Sequence, residues 1–222
     1  LEEFGIVVLT FNRLERLQSC LDHIFSRTKA SFKLYVVDNY STDGTQEYLE
    51  GFSANQKLVY IRMDSNVGVL ARNVAFRQIT APFIAQIDDD VTVDPDWDSK
   101  CLQLMNSDSQ IGLICHQGAR IKEWPHFEVQ HEDCFVDCAT GFFMCFRNVG
   151  LLFDENIERF WCEDLDLSLQ FKEKGYRIFC TPTLCSHASA RDIPIDLDLY
   201  NRNHDYVFKK WASRLASLGL EA

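Results

Sequence analysis

The run Asp88-Asp89-Asp90 closes the apolar stretch Phe83-Ile84-Ala85-Gln86-Ile87. Three adjacent carboxylates repel one another unless a cation neutralises them, and hard divalent ions such as Mg²⁺ or Mn²⁺ take oxygen ligands of this kind. At a strand end the triplet is therefore a candidate metal site. A solvated acidic turn is the competing reading of the same residues. The choice between them depends on what else the chain brings to that place.

The elements around the triplet can be read from periodicity and punctuation. Residues 5–10 form a short β-branched run, as expected for a strand buried on both faces. Asn12 is expected to cap the next helix with Glu15 completing a capping box, and Leu14, Leu17, Leu21, Ile24 and Phe25 share one face. A second buried strand over 34–37 ends in Asp38-Asn39, and Ser41 to Thr45 is turn and cap chemistry leading into a helix. The third strand, 58–62, precedes Asn66-Val67-Gly68 and a helix carrying Ala71-Arg72-Asn73 to about Ile79. Residues 83–87 are the fourth strand. Strands alternating with helices imply βαβ units and a parallel sheet, whose ligands bind beyond the carboxyl ends of the strands. Asp38 and the triplet both fall there.

Past residue 95 the pattern is mixed. Strands are expected over 111–115 and 142–146, and residues 116–137 read as polar and irregular. A helix starts near Glu163 and closes at Gly175 before a strand over 176–180. Leu197, Tyr200, His204, Val207, Phe208, Trp211 and Leu215 recur at helical spacing and read as core packing.

Taken in order, several short segments resemble a family 2 glycosyltransferase of the GT-A fold, over about residues 4 to 190. They are Thr10-Phe11-Asn12-Arg13, Val36-Val37-Asp38-Asn39 with Ser41 and Asp43-Gly44-Thr45, Asn66-x-Gly68, Ala71-Arg72-Asn73, the triplet, Gly141 with Arg147, and Glu163-Asp164. The resemblance implies an α/β fold: a Rossmann-like, mostly parallel sheet flanked by helices, with a mixed acceptor-side subregion. It implies one domain over 1–222, with a nucleotide-binding half at 1–95 and an acceptor-binding half at 96–222. The implied reaction moves one sugar from a nucleoside-diphosphate sugar to an acceptor hydroxyl, with inversion. A UDP-sugar is favoured, and a dTDP-sugar is the alternative.

The same resemblance assigns roles. Asp88 and Asp90 are the outer carboxylates of a DxD motif, with Asp90 on the metal (Mn²⁺ or Mg²⁺) and Asp88 or Asp89 facing the ribose or donor sugar. A metal there would clamp the charged diphosphate leaving group. Asp38 takes the nucleobase position, assisted by Thr10 and Arg13 within the segment that includes Phe11 and Asn12; Asn66 and Arg72 join the nucleotide-sugar site. Asp164, beside Glu163, matches the base that takes the acceptor proton, although a helix N-terminus favours the ionised carboxylate and weakens it as a base. His187 stands where relatives carry a histidine near the metal. Gly141, Trp161 and Trp124 are candidate acceptor contacts, the tryptophans by stacking on a sugar ring.

A formal net charge of −11 over 222 residues argues against nucleic acid or an anionic membrane as the main partner. Arg202, Lys209, Lys210 and Arg214 cluster near Trp211; a solvated helix face is favoured there over a peripheral contact with lipid headgroups. Nine scattered cysteines without zinc spacing read as buried thiols in a reducing, cytoplasmic setting. No apolar run is long enough to span a bilayer. Trp211 lacks the Gln and Arg of the QxxRW motif of processive synthases, so single transfer is expected. A haloacid dehalogenase-like phosphatase fits poorly, because Val91 follows the aspartates and the motif ends the fourth strand instead of the first. A sugar nucleotidyltransferase fits poorly too, because Thr10-Phe11-Asn12 stands where its Gly-rich first loop would be. The rival from another class is a silent module that binds a nucleotide or glycan without turnover.

Overall fold

The strands β1 (Phe4–Thr10), β2 (Phe32–Asp38) and β4 (Phe83–Asp88) form where apolar runs are buried on both faces, and β3 (Leu58–Arg62) forms half-buried at the edge. The computed structural model describes residues 3–52, 54–123, 126–188 and 196–220. β3, β2, β1 and β4 lie side by side and parallel, so their carboxyl ends point the same way. The register sets Thr10, Asp38 and Arg62 in one row, with Asp88 opposite Leu9. The helices between them are α1 (Leu14–Arg27), α2 (Thr45–Glu50) and α3 (Arg72–Phe76). The helix expected to run to Ile79 is shorter, a 3-10 turn over Gly68–Ala71 followed by α3.

The cap of α1 differs from expectation. Asn12 has φ 52, Arg13 precedes the helix without a side-chain cap, and the Leu14 N–H donates to Asp43 Oδ2 at 2.9 Å. Asn12 instead accepts from the Thr42 N–H at 2.7 Å. The capping carboxylate comes from the neighbouring strand-end loop, where no local pattern announces it.

Beyond β4 come β5 (Val91–Val93), α4 (Trp97–Ser107), β6 (Ile111–Cys115), β7 (Gly118–Glu123), β8 (His126–Gln130), β9 (Cys134–Val136), β10 (Cys138–Ala139) and β11 (Phe143–Arg147). Then follow α5 (Glu163–Glu173), β12 (Arg177–Cys180), β13 (Cys185–His187) and α6 (Leu197–Trp211). The central sheet runs β3-β2-β1-β4-β11-β6-β12-β9, with β11 antiparallel to both neighbours. The segment expected to be irregular is a hairpin, β7 against β8, completed by β10. β8 is exposed or half-exposed throughout, so it carries no apolar alternation to read. α4 also escaped expectation, because only Trp97, Cys101 and Met105 of its apolar residues are fully buried, four residues apart between polar ones.

Two apolar layers cover the sheet, one beneath α1 and α4 around Phe4, Trp97 and Phe143, the other beneath α3 and α5 around Phe76, Phe146 and Phe171. A third cluster joins α6 to α5 through Val207, Trp211 and Leu169. The buried face of α6 is Leu199, Asn203, Val207 and Trp211, whereas Leu197 is 65% exposed and Tyr200 38%. The expected core stripe is therefore right for Val207, Trp211 and Leu215 and wrong for Leu197 and Tyr200. The basic cluster is largely ion-paired: Arg202 to Glu158, Lys210 to Asp154 and Asp166, and Arg214 to Glu173. All nine cysteines are free thiols, eight of them buried. No helix of the described residues is long and apolar enough to cross a membrane.

Candidate active site

The three aspartates do not share a fate. Asp89 turns inward, 3% exposed, where the Thr10 hydroxyl donates to it at 2.8 Å and Arg13 at 3.1 Å. Burial pushes its carboxyl up to about 6, against the pull of Thr10 and Arg13. It is not presented to a donor sugar, and Thr10, expected beside the base, holds Asp89 instead. Asp88, with 34% of its side chain exposed, and the more covered Asp90, at 7%, gather instead with His187, and one ligand atom from each lies within 4.8 Å of the others.

His187 arrives there by sheet geometry. β13 pairs antiparallel with β5, setting His187 opposite Val91, and the Ala188 N–H donates to the Asp90 carbonyl at 3.2 Å. Phe142 stacks flat on the imidazole, centroids 4.4 Å apart and planes 5° apart. The imidazole Nε2 stands 3.2 Å from Asp90 Oδ1, a buried oxygen without a well-aligned hydrogen bond. Burial works against ionising Asp90, yet His187, Arg13 and Arg16 outweigh it and hold the carboxyl below the usual range. The Asp90 contact in turn raises His187. Two carboxylates and an imidazole around an under-coordinated oxygen fit a hard or borderline divalent ion. Arg72, 3% exposed, donates to Asp88, and its Nε has no partner.

The end of β2 is more deeply covered than expected. Asp38 is fully buried, its Oδ1 accepting from the Ser41 N–H at 2.8 Å and its Oδ2 from the Tyr60 hydroxyl at 3.1 Å and from Arg62. Its carboxylate is thus engaged within the protein and offers no surface to a base. Arg62 lies under the exposed ring of Tyr40, 5.2 Å from its centroid, and Phe11 is 41% exposed across the loop. Asn66 accepts from Asn39 Nδ2 at 2.8 Å, and Asn39 also reaches the Gly68 carbonyl.

Glu163 and Asp164 open α5. Asp164 Oδ2 accepts from the Gly141 N–H at 3.0 Å and Oδ1 from the Leu165 N–H at 2.8 Å. Gln86, two residues before Asp88, donates to the Gly141 carbonyl at 2.6 Å, so β4 both carries Asp88 and steadies the second carboxylate cluster. Burial raises Asp164 despite these N–H groups, so desolvation outweighs the helix terminus that was expected to weaken it as a base. Burial and then Asp164 push Glu163 up to about 8, and its Oε2 is buried without a partner. A Cβ on Gly141 would sit 3.5 Å from Asp164 and 3.6 Å from Glu163, which places this glycine against the pair. Trp161 precedes the pair with φ 74. Trp124 lies outside the described residues.

Sequence reasoning missed Arg16, Asn39, Arg62, Gln86 and Phe142. Gln86 was legible in principle, because a glutamine inside the apolar run of a central strand needs a polar partner. Arg62 stands beside Asp38 through strand register, and Arg16, Asn39 and Phe142 reach the site from a helix and from loops, contacts that no local pattern encodes.

The glycosyl transferase family 2 model matches residues 5–165. Glycosyltransferase AglE of Haloferax volcanii is 32% identical over 97 residues, covering 42% of this chain and 32% of that protein. The chain spans about a third or less of the curated relatives it matches. A crystal structure of GalNAc-T7 with UDP, GalNAc and Mn²⁺ superposes with a TM-score of 0.79 at 14% identity, over 96% of this chain and 49% of that one. The mannosyltransferase PcManGT of Pyrobaculum calidifontis, with GDP-Man and Mn²⁺, superposes with a TM-score of 0.71 at 17% identity, over 96% and 64%. These likenesses show the GT-A fold, and the family match over most of the chain shows that it belongs to glycosyl transferase family 2.

Proposed function

We propose that this chain is an inverting, metal-dependent glycosyltransferase that moves a sugar from a nucleoside-diphosphate sugar, UDP favoured, to an acceptor hydroxyl. The observation that carries the reading is the Asp88, Asp90 and His187 group standing within electrostatic reach of the buried Glu163–Asp164 pair. A leaving-group site and a proton-accepting site are what a direct displacement needs. The domain division follows the same line, with residues 1–95 supplying the nucleotide side and 96–222 the acceptor side of one unit.

In this reading Asp88, Asp90 and His187 would hold Mn²⁺ or Mg²⁺, which when bound supplies positive charge to a diphosphate. Phe142 fixes the imidazole plane and Arg72 keeps Asp88 in place. Asp38 has an indirect role: it holds Arg62 and the loop at Ser41, leaving Tyr40 and Phe11 as the exposed aromatic surfaces for a base. Asp164 takes the proton of the acceptor hydroxyl as that oxygen bonds to the anomeric carbon and the bond to the diphosphate breaks. Raised by burial, it is a stronger base than an exposed aspartate. Glu163 stays protonated near neutral pH and offers its O–H to a sugar hydroxyl.

A melting-temperature panel of UDP, GDP, dTDP and CDP, each with and without Mn²⁺, tests the donor site, because a ligand of the folded state raises its stability. UDP with Mn²⁺ should raise the midpoint, and Asp90→Ala should remove that gain. If no nucleotide moves it, the donor-site reading fails.

A further inference from the structure

We propose that Asn203 is a positioning residue for sugar transfer, whose amide on α6 holds the strained loop that delivers Glu163 and Asp164. The proposal rests on the reading of Asp164 as the base. Its starting point is the backbone just before the pair. Arg159, Trp161 and Cys162 have φ of 53, 74 and 68, three non-glycine residues in the left-handed region within four positions. Each sets a Cβ against a carbonyl, so the conformation persists only where its surroundings over-determine it.

The loop backbone is held chiefly by one amide and one glycine. Asn203 is 2% exposed, and its Oδ1 accepts from the Glu158 N–H at 3.0 Å. Its Nδ2 donates to the Glu158 carbonyl at 2.8 Å and the Phe160 carbonyl at 3.0 Å, with the Trp161 carbonyl at 3.4 Å. Across the loop, the Arg159 carbonyl accepts from the Val69 N–H at 2.7 Å. Gly68 lies so close that a Cβ there would come within 2.1 Å of that oxygen. Asn203 therefore grips the loop from one side and the turn at Gly68 backs it from the other.

The same helix also holds the chain beyond the pair. Trp211 Nε1–H and Lys210 Nζ both reach Asp166 Oδ1 at 2.7 Å, two residues past Asp164. Thus α6, which lies after the residues that match the family, fixes the chain on both sides of Glu163 and Asp164. Its neighbours on the buried face, Leu199, Val207 and Trp211, dock the helix by apolar contact. A buried asparagine is not needed for docking, and the hydrogen bonds it makes here all go to the loop backbone.

The test compares transfer kcat, donor KM and the Mn²⁺-dependent UDP shift at a temperature well below every melting midpoint. Asn203→Ala should lower kcat by roughly 10- to 100-fold, the scale of a small misplacement of a reacting group, with donor KM and the UDP shift unchanged. Asn203→Leu, nearly the same size and able to keep α6 packed, should lose kcat alike and serves if the alanine variant does not fold. Val207→Ala weakens the apolar docking of α6 but leaves the Asn203 hydrogen bonds in place and should keep kcat. Adding Arg159→Gly to Asn203→Ala should recover part of the loss, because glycine occupies positive φ without the Cβ clash. Wild-type kcat in both Asn203 variants while Asp164→Asn is inactive overturns the proposal and leaves the base reading intact. An equal loss in Val207→Ala also overturns it, assigning the effect to helix docking. Full activity in Asp164→Asn overturns the base reading itself.

Discussion

The two carboxylate clusters of this site are positioned by different physics. Around the triplet, side chains are held by charge and strand register: Arg13 and Arg16 reach Asp90, Arg72 reaches Asp88, and Thr10 reaches Asp89 from the neighbouring strand end. Around Glu163 and Asp164, the holding groups include backbone N–H donors, at Gly141 and Leu165, and a loop set by a distant helix. Their electrostatics part at one residue, Asp90, because burial raises Asp88 and Asp89 as it raises the second cluster. Asp90 is kept ionised by its cationic neighbours, whereas burial raises Glu163 and Asp164. Carboxylates separated in this way can divide charge binding from proton transfer.

The comparison breaks if one cluster does the work of both. The largest expected effect is therefore on transfer by Asp164→Asn, which should lower kcat by roughly 10²- to 10⁴-fold, the range for a general base. The Mn²⁺-dependent UDP shift should survive, because the substitution leaves the triplet untouched. Asp90→Ala should do the reverse to binding, abolishing the Mn²⁺-dependent shift along with transfer. If both variants lost the shift, the clusters would be one site and the division would fall.

How much of this was legible in the chain follows the same divide. The strand ends were readable because buried parallel strands are continuous apolar runs that stop at polar residues, so β1, β2, β3 and β4 and the residues at their tips emerge directly. Which aspartate faces inward was not readable, since it depends on Thr10 and Arg13 one strand away. Asp38 shows the limit of position alone: the strand end is right, but Arg62 in the same row covers its carboxylate. In the second half of the chain the Glu163-Asp164 dipeptide was visible, while the hairpin β7–β8 was not, because its outer strand β8 has no buried face. The clamp from Asn203 joins residues more than 40 positions apart and leaves no local mark.

The electrostatic half of the contrast can be sharpened with Glu163→Gln. A buried carboxyl raised from 4.5 to about 8 takes up a proton on folding, so it destabilises the fold increasingly as pH rises from 4.5 to 8 and by a constant amount above. Below 4.5 both states are protonated and the group contributes nothing to this dependence. Glutamine removes the burden, so the variant should gain on wild type by about 2–4 °C per kcal/mol relieved at pH 8.5, and by much less at pH 5. Melting curves at the two pH values decide it. A gain of equal size at both would mean that Glu163 is not held protonated by the fold.

The smallest effect concerns the loop that follows β2. The start of α1 has no cap of its own, and Asp43 supplies one from the loop after β2: Oδ2 accepts from the Leu14 N–H at 2.9 Å, while Oδ1 accepts from the Thr45 hydroxyl at 2.6 Å and the Thr45 N–H at 3.2 Å. One carboxylate therefore serves the first turns of α1 and α2 together. These hydrogen bonds outweigh its slight burial and hold Asp43 below the usual carboxylate range. Its stabilisation is thus present above the unfolded value of 3.8 and lost as pH falls through the lower folded value. Asp43→Ala should cost about 1 kcal/mol, the usual worth of a cap, or about 2–4 °C at pH 7. Asn12→Gly, which accepts the positive φ of 52 without a Cβ clash, removes the bonds to Thr42 but no helix cap, and should cost less. The ranking reverses the one that the Asn12 and Glu15 pattern suggests. A larger loss from Asn12→Gly would return the cap to the residue that local sequence nominates, and with it the idea that this end of the sheet is organised one segment at a time.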